Sequence, residues 1–410
     1  MFEILKKGQG GVTAAKGFSA SGVACGLKKR KKDMAMIYSA VPCTFAGAFT
    51  TNLAAAAPVA WDRKLVAEST TCQAIVVNSG NANACTGEKG LSDAHDMAEI
   101  TAEALGIAGK QVLVCSTGVI GVPMPMDTIR KGIGSCIEAL GTDLSHGLDA
   151  ATAILTTDTH DKQVGVTCKI GGKTVTIGGM AKGSGMIHPN MATMLSFITT
   201  DACISKSALQ KLLGPTIAQS YNMISVDGDT STNDTVLVLA NGQSGATELE
   251  EGCEGWEDFK DAFTYVHTYL AKEIVRDGEG AGTFIEVTVR GARTLKDART
   301  LARSVVSSNL VKAAFFGSDA NWGRVVCAMG YSGVDFGIGH LKLSFVSGKG
   351  EVLVVDKGLP IPFDEDFAKQ ILLEKEVKVV AELKDGDATA TAWGCDLTYD
   401  YVRINGDYRS

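Results

Sequence analysis

The chain is poor in the features that mark several common protein classes. It has only 8 prolines and 21% charged residues in 410, with a net charge of −7 and a pI of about 5.5. A binder of nucleic acid or of an anionic membrane selects a basic footprint, so neither partner is expected. The one basic run, Leu27-Lys28-Lys29-Arg30-Lys31-Lys32, is short and meets Asp33, which reads as a solvated loop. No CxxC pair occurs among the 11 cysteines, an odd count scattered partly through apolar runs around Cys72 and Cys115. That usage fits reduced thiols buried as small apolar residues, with Cys25, Cys85 and Cys168 given no catalytic role. The six histidines form no HxH or HxxxH pair, so no metal site is expected.

Long apolar stretches are also missing. The amino terminus, Met1-Phe2-Glu3-Ile4-Leu5-Lys6-Lys7, lacks the apolar region of a secretory signal. The segment from Ser39 to Trp61 is rich in small apolar residues, but Pro42, Asn52 and Pro58 interrupt it. No membrane span and a cytoplasmic location are the resulting expectations.

What is abundant is glycine, 47 residues in clusters between periodic segments, as tight turns and close backbone approaches require. Period-two or β-branched runs predict strands at 73–77, 111–115, 173–177, 235–239, 284–289, 341–345 and 377–383. Three- and four-residue apolar spacing predicts helices at 92–105, 205–221, 256–276, 296–314 and 364–375. The class is therefore α/β or α+β, a layered sandwich with mixed sheets, and the part from about Phe284 is expected to form a smaller carboxyl-terminal unit.

Two glycine-rich segments lack the context of nucleotide-binding loops. Gly171-Gly172-Lys173-Thr174 has Thr167 where a phosphate loop needs glycine, and a strand follows it. Gly278-Glu279-Gly280-Ala281-Gly282 lies after a helix and before a strand, the reverse of the dinucleotide-binding order.

A third glycine-rich segment carries chemistry. Residues 178–196 run through Lys182 and His188-Pro189 and turn abruptly into the apolar stretch 194–198, with Thr193 at the junction. The hydroxyl of a residue just after a carbonyl can attack it through a five-membered ring. The C–N bond breaks, an ester forms, and water hydrolyses it to leave a chain that begins with that residue. An amino-terminal Thr then unites nucleophile and base, because an α-amine has an unperturbed pKa of roughly 7.7 to 8.0. The chain offers no GxSxG elbow as an alternative. By itself an Ala-Thr pair before a strand is also an ordinary turn.

The run Gly179-Met180-Ala181-Lys182-Gly183-Ser184-Gly185-Met186-Ile187-His188-Pro189-Asn190-Met191-Ala192-Thr193-Met194-Leu195 resembles the cleavage-site signature of the ornithine acetyltransferase family, also called bifunctional glutamate N-acetyltransferases. Blocks in family order surround it. They are Val77 to Gly87, Ser116 to Gly121, Thr156-Thr157-Asp158-Thr159, Ser231 to Thr235, Asp277-Gly278-Glu279-Gly280, Phe316 to Arg324 and Asn405 to Ser410. The resemblance implies an αββα-type sandwich related to amino-terminal nucleophile aminopeptidases. It implies self-cleavage between Ala192 and Thr193 into an α chain of residues 1–192 and a β chain of 193–410, assembled as α2β2. It also implies transfer of an acetyl group from N-acetylornithine to glutamate through acetyl-Thr193, in arginine biosynthesis, with acetyl-CoA as a conceivable second donor and no cofactor.

By the same resemblance Thr117 and Gly118 form the oxyanion hole, and Thr156, Lys182, Thr193, Glu279, Asn405 and Ser410 bind substrate. A lysine suits a substrate carboxylate and a glutamate an ammonium group. Asp227, Asp229, Asn233 and Asp234 read as a capped turn before a strand, and Trp322 and Arg324 as packing. Two further readings stay open: an amino-terminal Thr aminopeptidase or amidohydrolase, in which water takes the acyl group, and a non-catalytic protein that holds a phosphate and keeps its chain intact.

Overall fold

A computed structural model describes residues 1–188 and 194–407. The cleavage pair Ala192-Thr193 and the terminal Ser410 lie outside the described residues. Along the chain the first half contributes β1 (Phe2–Ile4), β2 (Phe18–Val23), β3 (Met34–Phe49), α1 (Ala57–Glu68), β4 (Cys72–Asn81), α2 (Gly87–Leu105), β5 (Val112–Val119), α3 (Met126–Glu138), α4 (Leu144–Ala153), β6 (Lys162–Ile170) and β7 (Lys173–Lys182). The second half adds β8 (Leu195–Thr200), α5 (Lys206–Gln219), β9 (Ile224–Ser225), β10 (Thr235–Ala240), α6 (Trp256–Arg276) and β11 (Phe284–Ala292). It continues with α7 (Leu295–Ser307), α8 (Asn309–Phe316), α9 (Trp322–Gly330), β12 (Lys342–Ser347), β13 (Gly350–Asp356), β14 (Leu359–Pro360), α10 (Glu365–Leu372), β15 (Glu376–Glu382), β16 (Ala388–Cys395) and α11 (Tyr399–Asp407).

Side-chain parity on the long strand β3 explains the layering. Its second half pairs with β10, and its first half pairs with β2 and β4, across a register irregularity between Tyr38 and Cys43. One strand thus serves two sheets, β1-β6-β7-β8-β10-β3 and β2-β3-β4-β5, the latter closed by parallel pairing of β4 with β5. Ile37, Ile75, Val77, Leu113, Phe197, Leu237 and Leu239 fill the space between these sheets. The alternate residues Met36, Val76 and Val114 pack outward on Met97, Ile129 and Ile133 of α2 and α3. On the far face Ile177, Ile198 and Val238 pack on Leu213 of α5 and Phe263 and Leu270 of α6. Alternation along each strand therefore feeds two apolar layers, and the result is the expected αββα sandwich.

The remaining sheet runs β14-β13-β12-β15-β11-β16-β9. It is covered by α7 and draws its edge strand, Ile224–Ser225, from well before residue 284. Its apolar side chains join those around α6 in one continuous cluster.

Local chemistry sets several boundaries. Gly171 and Gly172, at φ +53° and +76°, close the β6–β7 hairpin as the two left-handed residues of a tight turn, so this glycine pair is a connection between strands. The expected single helix at 296–314 is two helices. Ser308 leaves helical geometry and its hydroxyl accepts from the Val311 amide, capping α8. The basic run at 27–32 also departs from a simple solvated loop. Lys29, Arg30 and Lys31 are exposed, but the buried Asp33 carboxylate accepts from the amides of Cys25, Gly26 and Lys28. Lys28 folds inward to donate to the Leu155 carbonyl at 2.9 Å, and burial, only partly offset by Asp33, pulls its pKa down to about 8. Among the described residues no helix is long and apolar enough to cross a membrane.

Candidate active site

Lys182, Leu195 and Thr235 lie side by side at the ends of β7, β8 and β10. A cavity of about 110 Å³ opens there, and Thr117, Gly118, Thr156, Lys182, Glu279 and Asn405 all line it. These six come from five separated segments, which the sequence alone does not bring together. Met194, the first described residue after the proposed cleavage point, borders the same space.

The end of β5 is fixed by amide side chains. Ser116 donates to Asn78 Oδ1 at 2.6 Å, and Asn233 Nδ2 donates to the carbonyls of Ser116 and Ala82 at 2.7 and 2.6 Å. Gly118 follows at φ +133°, where an added Cβ would sit 2.3 Å from the Gly80 carbonyl carbon. Only glycine allows that approach of β5 to β4. Lys182 Nζ lies 3.3 Å from Thr117 Oγ1 and donates to it, which leaves the Thr117 hydroxyl proton to point elsewhere.

Beneath the cavity lies a buried ion cluster. Lys162 Nζ contacts Asp158 Oδ1 at 2.7 Å and Asp277 Oδ2 at 2.5 Å, with all three side chains at most 2% exposed. Asp158 also accepts from the Thr156 and Gly183 amides, so it ties the 156 loop to the end of β7. Burial alone would raise its carboxyl, but Lys162 and Lys182 outweigh that and hold it below the usual carboxylate range. Asp277 accepts from the Thr159 amide and hydroxyl, and its carbonyl accepts from Ser184 at 2.6 Å. This cluster sets the positions of Lys182 and Glu279 from both sides.

Lys182 is buried, and among the described residues no carboxylate stands within ion-pair distance of it. Burial lowers its pKa while the more distant Asp158, Asp234 and Glu279 pull it back up. Glu279 accepts from Asn405 Nδ2 at 2.7 Å, the contact that brings α11 to the site. It occupies space that a side chain at Gly185 would fill, since a Cβ there would lie 2.3 Å from Oε2. A cation and carboxylates in one small cavity can hold a molecule bearing both an ammonium and a carboxylate.

Asp234 corrects the reading of residues 227–234 as one capped turn. Asp227 does behave so, accepting from the Met186, Ile187 and Asp229 amides at 2.6, 2.9 and 3.1 Å. Asp234 instead lines the cavity, 1% exposed, with Oδ2 lacking a hydrogen-bond partner among the described residues. Burial pushes its carboxyl well up, and the nearby Ser231 hydroxyl and Lys182 charge offset this only in part. Asp158, Asp234 and Asp277 were all present in the blocks around Thr156, Ser231 and Glu279, so block membership was the available signal. Lys162 carried none.

A model of the ArgJ family matches residues 19–410. The chain belongs to the ArgJ family. The arginine biosynthesis bifunctional protein ArgJ of Symbiobacterium thermophilum is 55% identical over 98% of this chain and 99% of its own length. The protein of the same name from Caldanaerobacter subterraneus is 52% identical over 98% and 99%. Among solved structures, a chain of the ornithine acetyltransferase of Mycobacterium tuberculosis, complexed with ornithine, is 38% identical. It aligns over 47% of this chain and 100% of its own, with a TM-score of 0.43. The ArgJ chain is accordingly an enzyme of an acetyltransferase family, as the ordered blocks had implied.

Proposed function

We propose that the chain cuts itself between Ala192 and Thr193 and then uses Thr193 to carry an acetyl group from N-acetylornithine to glutamate, within arginine biosynthesis. The observation that carries this reading is the convergence of Thr117, Gly118, Thr156, Lys182, Glu279 and Asn405 on one cavity bordered by Met194. The bifunctional ArgJ name of the relatives supports the same pathway.

In this mechanism the freed α-amine of Thr193 takes the hydroxyl proton as the oxygen attacks the acetyl carbonyl. The Thr117 hydroxyl and the Gly118 amide receive the negative charge of the tetrahedral intermediate. Lys182 supports the first donor, because its own hydrogen bond to Thr117 Oγ1 orients the hydroxyl proton away from itself. Collapse expels the ornithine amine, which takes the proton back. Glutamate then attacks the acetyl ester through its amine and regenerates Thr193. Lys182 meets the amino-acid carboxylate, and Glu279, held by Asn405, meets the ammonium. The two halves are expected to stay together as α2β2, which native mass measurement checks.

Denaturing mass spectrometry tests the first step. The purified protein should separate into fragments of 192 and 218 residues, and Thr193→Ala should remain a single chain of 410. Incubation with N-acetylornithine and glutamate tests the second, with N-acetylglutamate expected; acetate in its place would reject transfer in favour of hydrolysis. Formation of N-acetylglutamate from acetyl-CoA and glutamate alone would establish the second donor.

A further inference from the structure

Lys182, Asp234 and Glu279 are the charged side chains among the described residues that line the cavity, and two of them are engaged. Lys182 donates to Thr117, and Glu279 accepts from Asn405. Asp234 differs. It is 1% exposed, and its Oδ2 has no hydrogen-bond partner among the described residues. A buried polar atom without a partner costs free energy, so this carboxyl is held in the cavity at the expense of stability.

The backbone leaves the side chain little freedom to move away. The Asp234 carbonyl accepts from the Thr50 amide at 2.9 Å, and the Thr235 amide donates to the Met194 carbonyl at 2.9 Å. On the other side Asn233 is locked by its bonds to the carbonyls of Ser116 and Ala82. Asp234 is thus fixed immediately before β10, where that strand joins β8 next to the proposed nucleophile.

The proton count of acetyl exchange leaves a task for such a group. Ornithine starts as an amide and leaves as an ammonium ion, so its nitrogen gains two protons. Glutamate enters as an ammonium ion and ends as an amide, so its nitrogen loses two. The hydroxyl and amine of Thr193 account for one of each pair: that proton goes to the departing nitrogen and comes back from the entering one. The other proton, the one that separates amine from ammonium, needs its own carrier.

We propose that Asp234 is that carrier. Its carboxyl protonates the departing ornithine amine, and the carboxylate so formed takes the proton of the glutamate ammonium, which frees the amine to attack acetyl-Thr193. The cycle ends with the carboxyl protonated again, and no other bond changes at Asp234. Burial favours the protonated form in the resting site, with the Lys182 charge opposing it only in part. Glu279 is less suited, being committed to Asn405 and to the space beside Gly185. This role rests on acetyl transfer through Thr193 as proposed above.

Loading the enzyme with N-acetylornithine alone and then adding an acceptor isolates the second half-reaction. Glutamate brings an ammonium group, whereas hydroxylamine is an unprotonated amine at neutral pH and attacks without first losing a proton. Asp234→Asn keeps the shape and charge of the protonated carboxyl. It should slow transfer to glutamate about 10²-fold and transfer to hydroxylamine far less, and the deficit with glutamate should shrink as rising pH frees its amine. Asp234→Glu, which keeps a carboxyl, should recover part of the loss. Equal losses with both acceptors, or no loss with glutamate, would overturn the carrier role while leaving acetyl transfer in place. An unaltered enzyme that gains no acetyl group from N-acetylornithine would overturn the transfer reading itself. If neither variant folds, infrared difference spectra of the unaltered enzyme decide. A protonated-carboxyl band should vanish on loading with N-acetylornithine and return with glutamate, and an unchanged band would overturn the proposal.

Discussion

The cavity on one side of the Met186–His188 ribbon and a groove on the other, lined by His188, Thr230, Lys296, Arg299 and Arg303, use charge in opposite ways. In the cavity, Lys182, Glu279 and Asp234 are all less than one-tenth exposed, and the cluster of Asp158, Lys162 and Asp277 beneath them balances charge against charge. In the groove, Lys296 and Arg299 stand partly in water, and no carboxylate is among its described lining residues. A balanced buried cluster fixes geometry and makes each partner indispensable, because removal of one strands the others in low dielectric. A one-signed open groove fixes little but attracts counter-charge, and its residues can be changed with little cost to folding.

The sharpest way to break this contrast is to remove the centre of the cluster. Lys162→Met leaves Asp158 and Asp277 buried without their cation, and about 3–5 kcal/mol of stability should be lost, read as a lower urea midpoint at unchanged slope. Arg299→Gln should move the midpoint by no more than about 0.5 kcal/mol. Equal losses in the two variants would mean that the groove cations are structural. The acid limb carries the same signature. Asp158 is held below its ordinary range, so its contribution is complete above the unfolded carboxyl pKa of about 3.9 and is lost as pH falls toward the folded value.

The next effect falls on catalysis. Thr117→Val keeps the shape but deletes the hydroxyl, and loss of one oxyanion donor should cost about 2.7–4 kcal/mol, a fall of roughly 10²–10³ in kcat. The Michaelis constant should change little, because that charge exists only in the transition state. Thr117→Ser should recover most of the rate. If Thr117→Val instead raised KM with kcat intact, the hydroxyl would be a ground-state contact.

How much of this was legible in the sequence differed by kind of feature. The buried strands 235–239 and 284–289 and the helix 256–276 stood out because their apolar spacing survives in isolation. Strand β3 did not, since Pro42 and small residues broke the pattern at the point where the strand crosses between sheets. Thr117, Lys182 and Glu279 were legible only as members of ordered blocks; no spacing rule predicts that they share a cavity. The cluster around Lys162 was invisible, because Asp158 and Asp277 are separated by 118 intervening positions and meet only through the pairing of loop and helix end. The groove was hidden for another reason. Lys296, Arg299 and Arg303 fall in the helix predicted at 296–314, and helical spacing alone does not show what they face across the groove.

The ribbon itself offers the smallest and most discriminating measurement. Arg303 Nη2 donates to His188 Nε2 at 3.1 Å, which assigns the ring proton to Nδ1 and makes it the donor to Ser225 Oγ at 3.0 Å. Burial, and after it the charge of Arg303, pulls the His188 pKa from 6.5 down to about 4. The unfolded chain therefore takes up this proton first, and stability falls as pH drops through the interval from about 6.5 to 4. At pH 5 the unscreened penalty would be about 2 kcal/mol, and for a half-buried ring about 1 kcal/mol is expected. Replacing His188 with Gln should flatten the stability profile between pH 7 and pH 5 by that amount. Arg303→Met should flatten it only in part, because burial would remain while the charge is gone. A profile unchanged by Arg303→Met would show that burial alone lowers the His188 pKa. A profile as flat as that of His188→Gln would show that the Arg303 charge, acting through its direct contact with His188, dominates the shift.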